Sequence, residues 1–492
     1  MNNLVLRVIK IDIRNFLLLL AVIIGVTLLP SCIYDHYDYE EEPKTPHIPA
    51  SGLIVMRVST VSANQTTSTS EKVTEKIRSL RFIMLSDNYV VVNKHIYVDN
   101  MTDGSDDASK FSYTYTFRFN DDEHISANTR FYFIANEECV GSLKFSSDYT
   151  VPQEWKDKDL TWILSSEKFE ATNSLPSANA PATGGGAGDL EKFLNAIYFR
   201  PEYNIVSNDD SDDNSGVIYL PYSVYYSLED LNKVVNKKGD VVGIDDKMYL
   251  VPVAAKFEFH FENYRTNAVD VKKLTVSSFN THNYMLARVK SDDCRKTLPG
   301  ETASLYWPDW LAKISELSWD NVGSGANFDF NEKYGWIAKY DIPTADVYEK
   351  SFLNINDSQN NGYWKVPAPQ LVDGDSQDKL EPGVLDIGPY YMPESNYLFP
   401  IIVKDDKDKD VVTTTPTGQR YVLSMVLHDS SQSTSSNDLT FDYNPIENLG
   451  ALFRNTHVVI NVVMREGESG VYAEIEPWTV RKAVGWVGDY KK

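Results

Sequence analysis

The sequence predicts an all-β chain of two antiparallel β-sandwich domains with a few short helices. Three observations carry that reading: apolar residues recur with period two, helical periodicity is confined to two short stretches, and 492 residues suffice for two or three cores. Tyr113-Thr-Tyr-Thr-Phe-Arg-Phe119 sets aromatic residues on one face and Thr114, Thr116 and Arg118 on the other. Lys256-Phe-Glu-Phe-His-Phe261 turns three phenylalanines inward and Lys256, Glu258 and His260 outward, as in a half-buried antiparallel strand.

From the N-terminus, Arg7, Lys10 and Arg14 make a basic start, Phe16 to Leu29 is an apolar run, and Leu29-Pro-Ser-Cys32 resembles the lipobox of bacterial lipoprotein signals. Residues 1–31 therefore read as a signal peptide. The mature chain would begin at Cys32, with a diacylglycerol on its thiol and a further acyl chain on its amine, enough hydrocarbon for stable anchoring. The alternative, a single transmembrane helix, has a run shorter than the roughly 20 residues a span needs. Residues 32–50 are acidic and proline-rich, cannot bury a core, and read as a tether.

Residues 51–240 form the expected N-terminal sandwich, with strands at Leu53–Val61, Ile77–Leu85, Tyr113–Phe119 and Arg130–Asn136. Its helices are Asp189–Tyr198, with Asp189 as N-cap, and Leu228–Val235. The polar, glycine-containing stretch Asn236–Asp246 marks the seam. Residues 241–492 form the C-terminal sandwich, with further strands at Leu274–Ser278, Tyr397–Lys404, Tyr421–Leu427, Val458–Met464 and Val471–Glu476. The long loops at 173–188, 207–216 and 404–410 belong at the surface.

Composition excludes several functions. A formal net charge of −23 argues against nucleic acid, because each phosphate contact needs a cation and the long-range field repels the strand. With Cys32 lipidated, only Cys139 and Cys294 remain, as two buried free thiols or one bridge, without a disulfide framework or zinc-ligand spacing. Asp210-Ser-Asp-Asp-Asn-Ser-Gly216 approaches a calcium loop, but its glycine falls one position late and Pro221 stands where the bidentate glutamate belongs. Gly184-Gly-Gly-Ala-Gly188 lacks the leading strand and the Lys-Ser/Thr pair of a phosphate loop. No His-Glu-x-x-His or Gly-x-Ser-x-Gly occurs, and the residues call for no catalytic role, metal or cofactor. Trp307, Trp310, Trp319, Trp336 and Trp364 cluster in sequence, as stacking platforms for sugar rings or as filling for the second core.

Taken in order, Lys76-Ile-Arg-Ser-Leu-Arg-Phe-Ile-Met84, Asn128-Thr-Arg-Phe-Tyr-Phe-Ile-Ala-Asn-Glu137, Leu220-Pro-Tyr-Ser223, Val251-Pro-Val-Ala-Ala-Lys-Phe257, Leu452-Phe-Arg-Asn-Thr-His457 and Ile475-Glu-Pro-Trp-Thr479 resemble landmarks of the fimbrillins. These are the type V pilins of Bacteroidetes, and the resemblance covers nearly all of the mature chain. It implies transthyretin-like sandwiches and a lipoprotein precursor anchored in the outer membrane. It also implies assembly with other fimbrial subunits into an adhesive surface fimbrium, whose receptor the residues do not name. In the family a trypsin-like protease removes the first strand after an arginine, and a neighbour's C-terminal strand fills the groove by β-augmentation. The acidic run after Cys32 also resembles the surface-export signal of lipoproteins from that phylum.

On that resemblance, Leu53, Ile54, Val55, Met56 and Val58 belong to the placeholder strand, and Trp478, Val480, Val484 and Trp486 share one face of the donor strand, interrupted by Lys482. Burying four such side chains contributes a gross ~6–12 kcal/mol before ordering costs. Alternatively, the tail closes its own domain. The linker at 62–71 lacks arginine, leaving Arg57, Lys72, Lys76 and Arg78 as nearby basic sites, which fits either a stalk subunit cut elsewhere or an uncut anchor. The alternative function is a non-polymerising surface lipoprotein that binds glycans through exposed tryptophans. Cys32→Ser is expected to abolish incorporation of labelled palmitate and to leave the precursor at its full length on a denaturing gel. Unchanged labelling would overturn the anchor.

Overall fold

The computed structural model describes residues 53–59, 73–97, 112–118, 123, 125–175, 186–201, 203, 206–207, 216–231, 233–235, 241–244, 246–288, 295–296, 304–308, 347–354, 362–372, 379–396, 401–404, 410–413, 421–431, 438–446, 451–452, 454–465, 468–477 and 481–486. Strands dominate them. In chain order the principal elements are β1 (Leu53–Ser59), β2 (Ser79–Ser86), β3 (Tyr89–Tyr97), β4 (Ser112–Arg118), β5 (Arg130–Ala135), α1 (Leu160–Leu164), α2 (Ala187–Ala196), β6 (Tyr222–Ser227) and β7 (Asp246–Leu250). There follow β8 (Ala255–Asn263), β9 (Val269–Asn280), β10 (Val347–Asn354), β11 (Gly383–Met392), β12 (Val422–Asp429), β13 (Leu439–Pro445), β14 (Thr456–Arg465), β15 (Glu468–Pro477) and β16 (Arg481–Trp486). These strands make the four largest of the sheets, ordered β7-β16-β1-β4, β6-β5-β2-β3, β11-β8-β14-β15 and β10-β9-β12-β13, the last with the short strand Trp364–Val366 also paired to β9.

The sheet β6-β5-β2-β3 is covered on both faces. Leu80, Phe82 and Met84 of β2 and Phe131 and Phe133 of β5 join the apolar cluster that holds Phe117, Met248 and Leu250 of the β7-β16-β1-β4 sheet. The alternate residues Ile83, Leu85, Tyr132 and Ile134 join a second cluster, with Leu160, Ile163 and Leu164 of α1 and Leu190, Phe193 and Leu194 of α2. All residues of β2 are consequently buried. The Asp159 carboxylate starts α1 by accepting a bond from the Trp162 amide at 2.7 Å. Gly186 starts α2 at φ 86°, where a Cβ would also meet the Lys168 carbonyl at 3.0 Å, so glycine is required there.

In the C-terminal half, Phe257, Phe259 and Phe261 of β8 share a core with Val458, Ile460, Val462 and Met464 of β14 and with Val271, Leu274, Leu423, Met425 and Leu427 of the other sheet. Phe352 stacks on Phe257 with centroids 5.7 Å apart and meets Phe259 edge-on at 4.8 Å. β8 and β14 pair in parallel, from Lys256 opposite His457 to Asn263 opposite Met464.

Buried polar groups join the two halves. The Arg454 guanidinium, fully buried, donates to the Glu394 carboxylate from Nε at 2.9 Å and from NH2 at 2.7 Å. It also donates to Ser223 Oγ at 3.2 Å, the Met285 carbonyl at 3.1 Å and the Tyr284 carbonyl at 2.8 Å. The Arg454 amide adds a bond to Glu394 at 2.9 Å. Nearby, Asn283 accepts from the Glu394 amide at 2.7 Å and donates to the Val253 carbonyl at 2.9 Å. Arg81 forms a second buried fork on Glu137, at 2.6 and 2.7 Å, and also donates to Asn93 and Ser165.

Several expectations change. Asp189 lies in the first turn of α2, three positions inside the Gly186 cap, where its charge still complements the helix N-terminus. Leu228–Val235 is not a helix. A capping box between Ser227 and Asp230 closes the single 3-10 turn Leu228–Asp230, and the β-branched pair Val234 and Val235 continues as the strand Lys233–Val235. The outward face of β8 is solvated only in part, since Lys256 and Glu258 are buried while His260 and Glu262 are half-exposed. His457, on the parallel neighbour, reaches Glu258 at 3.1 Å. Burial alone would raise the Glu258 carboxyl, but the hydrogen bond and charge of His457 hold it below the usual carboxylate range. Cys139 is a free, half-buried thiol that burial pushes up to about 11.

Replacing Glu394 by alanine leaves the Arg454 charge buried and unpaired. The expected loss is about 3–5 kcal/mol, read from equilibrium urea unfolding. Glu394→Leu combined with Arg454→Met is expected to recover most of it, because both charges then leave the interior together.

Candidate assembly site

The sheet β7-β16-β1-β4 places the first strand of the described chain beside the last. β1 pairs antiparallel with β4 over its whole length, from Leu53 opposite Arg118 to Ser59 opposite Ser112. On its other edge it pairs with β16, with Val55 opposite Trp486, Met56 opposite Gly485, Arg57 opposite Val484 and Val58 opposite Ala483. β16 is paired in turn with β7, from Asp246 opposite Gly485 to Leu250 opposite Arg481. The C-terminal strand thus fills an interior position of a sheet in its own chain.

Directly opposed residues of antiparallel strands lie on the same face, so the register sorts the sheet into two rows. One row runs through Met248 and Leu250, both buried, then Arg481, Ala483 and Gly485, then Ile54, Met56 and Val58, and ends at buried Phe117. The alternate row holds Lys247, Lys482, Val484, Trp486, Leu53, Val55 and Arg57. In the row that also holds Met248 and Leu250, β1 contributes Ile54, Met56 and Val58, and β16 contributes Arg481, Ala483 and Gly485. The sheet is also tied to its neighbour through β7, where the Tyr249 amide donates to the Tyr226 hydroxyl at 2.8 Å. The Tyr226 ring lies 5.2 Å from that of Tyr306.

Leu53, Ile54, Val55, Met56 and Val58 thus all lie in β1, divided between the two rows. Val484 and Trp486 lie in β16, in the row away from Met248 and Leu250. Cys32, Trp478 and Val480 lie outside the described residues, as do Cys294, the linker at 62–71 and residues 208–215 of the acidic turn. Trp307 is 2% exposed and belongs to the core rather than to a sugar platform, and Trp364 is half-buried with its ring 6.3 Å from Phe261. Trp310, Trp319 and Trp336 lie outside the described residues. The strongly exposed tryptophan among the described residues is Trp162, with Lys158 Nζ 4.8 Å above its ring, and no periodicity in the sequence pointed to it. Among the described residues no group of three His, Cys, Asp or Glu side chains is placed to hold a metal ion.

No family model matches the chain, and no curated protein matches it. Solved structures similar to it include the tip fimbrial protein Mfa3 from Porphyromonas gingivalis with C-terminal truncation, at 11% identity over 87% of this chain and 100% of that one, with a TM-score of 0.30. A fimbrial protein from Bacteroides vulgatus shows 9% identity, coverage of 86% and 100%, and a TM-score of 0.29. A fimbrilin from Porphyromonas gingivalis shows 9% identity, coverage of 86% and 97%, and a TM-score of 0.30. At such superpositions the likeness carries no argument, and the reading of the site rests on its geometry.

Opposed Cα atoms in an antiparallel pair are about 4.5–5.5 Å apart, within the range a disulfide spans. Val58→Cys with Ala483→Cys, in a Cys139→Ser background, is therefore expected to form an intramolecular bridge under mild oxidation. Peptide mapping after proteolysis would detect it. A Val58→Cys with Val484→Cys pair, one register step away, is expected to bridge poorly.

Proposed function

We propose that this chain is a structural subunit of a cell-surface fimbrium, exported as a lipoprotein precursor held in the outer membrane through Cys32. In this reading it joins other fimbrial subunits by exchange of terminal strands and contributes to adhesion. One observation carries the proposal: β1 and β16, the first and last described strands, are neighbours inside one sheet flanked by β4 and β7. Loss of β1 together with release of β16 would leave β7 and β4 with unpaired main-chain groups on either side of an open slot, next to the buried Met248, Leu250 and Phe117. An extended segment with alternating apolar residues satisfies both needs at once.

The row assignment supports the release of the tail as well. On the row that holds Met248 and Leu250, β16 carries Arg481, Ala483 and Gly485, while Val484 and Trp486 fall on the alternate row. A donor seated in a neighbour's slot with the register moved by one residue would turn Val480, Val484 and Trp486 to the core side, because a single-residue shift exchanges the faces of a strand. Arg57 is paired on both sides, with Thr114 and Val484, and is closed to a protease while the sheet is intact. Placeholder cleavage is accordingly assigned to the basic residues that follow the linker, or is absent in an anchor subunit. The glycan alternative loses Trp307 to the core.

Deleting residues after Pro477 is expected to leave a folded, lipidated protein that no longer forms SDS-resistant ladders on cells. The oxidised Val58→Cys, Ala483→Cys protein is expected to behave alike and to regain ladders on reduction. Ladders that persist in both would remove the strand-exchange reading.

A further inference from the structure

An open cleft of about 810 Å³ lies between the C-terminal half of α2, the segment after the strand Leu143–Phe145, β6 and the segment Ala287–Arg288. It is far from the terminal strands in sequence and plays no part in the assembly reading. Two tyrosines in its wall are each braced from behind by another ring. Tyr149 stacks on Phe145 with centroids 5.8 Å apart, and Tyr225 stacks on Tyr132 at 6.0 Å. Such braced rings are rigid platforms that offer apolar faces at little entropic cost.

The polar groups between them are fixed by bonds of their own. Glu191 and Asn195, four residues apart on α2, occupy one face of that helix. Arg130 NH1 grips the Glu191 carboxylate at 2.8 and 3.0 Å, and Tyr132 donates to it at 3.2 Å. Asn195 Nδ2 donates to the Glu191 carbonyl at 3.0 Å. Arg288 donates to the Asn195 carbonyl at 2.5 Å, and its guanidinium lies 3.6 Å from the Tyr284 ring centroid. Burial pushes the Tyr149 phenol up to about 12, which keeps it a hydrogen-bond donor at neutral pH.

The charges of this wall balance. Asp148 and Glu191 stand against Lys192 and Arg288, so the cleft favours neither a phosphate nor a cation. Its polar lining does not suit a fatty ligand. Rigid aromatic faces flanked by fixed carboxylate, amide and guanidinium groups instead match a pyranose, whose C–H face is apolar and whose paired hydroxyls both donate and accept. The cleft also lies in the volume range of ligand sites and is open, so a longer chain can continue beyond it.

We propose that this cleft binds a neutral saccharide unit of a glycan, stacked on Tyr149 and held by Glu191 and Asn195. The test is saturation-transfer NMR on the soluble full chain with glucose, galactose, mannose and N-acetylglucosamine and their β-linked disaccharides, followed by titration of the best binder. At least one is expected to bind, and Tyr149→Ala and Asn195→Ala are each expected to weaken it about tenfold, a loss of about 1.4 kcal/mol. Tyr363→Ala, at an exposed aromatic outside the cleft, is expected to leave affinity unchanged. Should Tyr149→Ala not fold, Tyr149→Phe with Asn195→Ala carries the test, with the same loss expected. Absence of binding by every sugar, binding indifferent to these changes, or competition by inorganic phosphate would each overturn the proposal. Because binding is read on the monomer, none of these results bears on strand exchange.

Discussion

The fold depends on the buried pairing of Arg454 with Glu394. Removing two such charges from water costs several kcal/mol per ion, and the pairing is tolerable only because the guanidinium meets carboxylate, hydroxyl and carbonyl partners together. Those partners come from three separate stretches, at 223, 284–285 and 394, so one satisfied geometry ties all three to Arg454. The short motifs around them are drawn in as well. The Ser223 amide donates to the Val251 carbonyl at 2.9 Å, the Val253 amide to the Pro221 carbonyl at 2.8 Å and the Asn455 amide to the Ala254 carbonyl at 2.9 Å. Three of the strings that carry the fimbrillin resemblance therefore meet at one point.

A second polar knot serves the N-terminal half. Asn136 adopts φ 54°, a left-handed conformation that asparagine accepts more readily than most residues. From there its side chain accepts from the Arg78 amide at 2.8 Å and donates to the carbonyls of Lys76 at 2.9 Å and Leu220 at 2.7 Å. Its neighbour Glu137 receives the Arg81 fork. Arg81 is the charged residue in an otherwise mostly apolar strand, and the sheet can be covered on both faces because that charge has a complete set of partners. The same covering brings α2 against the sheet and forms one wall of the cleft.

Strand existence was readable in the sequence because alternation is local. Phe257, Phe259 and Phe261 announce β8 without help from the rest of the chain. What covers the other side of a strand is not local, which is why Lys256 and Glu258 read as solvated although His457 closes over them. The stretch after Ser227 fails for a related reason: its apolar spacing resembles one helical turn, and the Ser227 amide and hydroxyl, both donating to the Asp230 carboxylate, cap the start of that single turn, after which the chain becomes extended. For the tail, period two correctly grouped Val484 with Trp486, but the row that faces the core is set by the pairing with β7, more than two hundred residues away in sequence. The cleft has no sequence signature, since it draws single residues from distant segments, and the Arg454 junction shows in the sequence only as short strings, none of which says that they meet.

The parallel contact between β8 and β14 has a consequence in time. Lys256 leaves the ribosome long before His457 exists, so one edge of β8 waits for its partner while about two hundred further residues are made. Until then the phenylalanine face of β8 has only part of its lid. The C-terminal body therefore cannot set early, and an unfinished chain stays loose enough to be threaded or chaperoned until its final segments arrive.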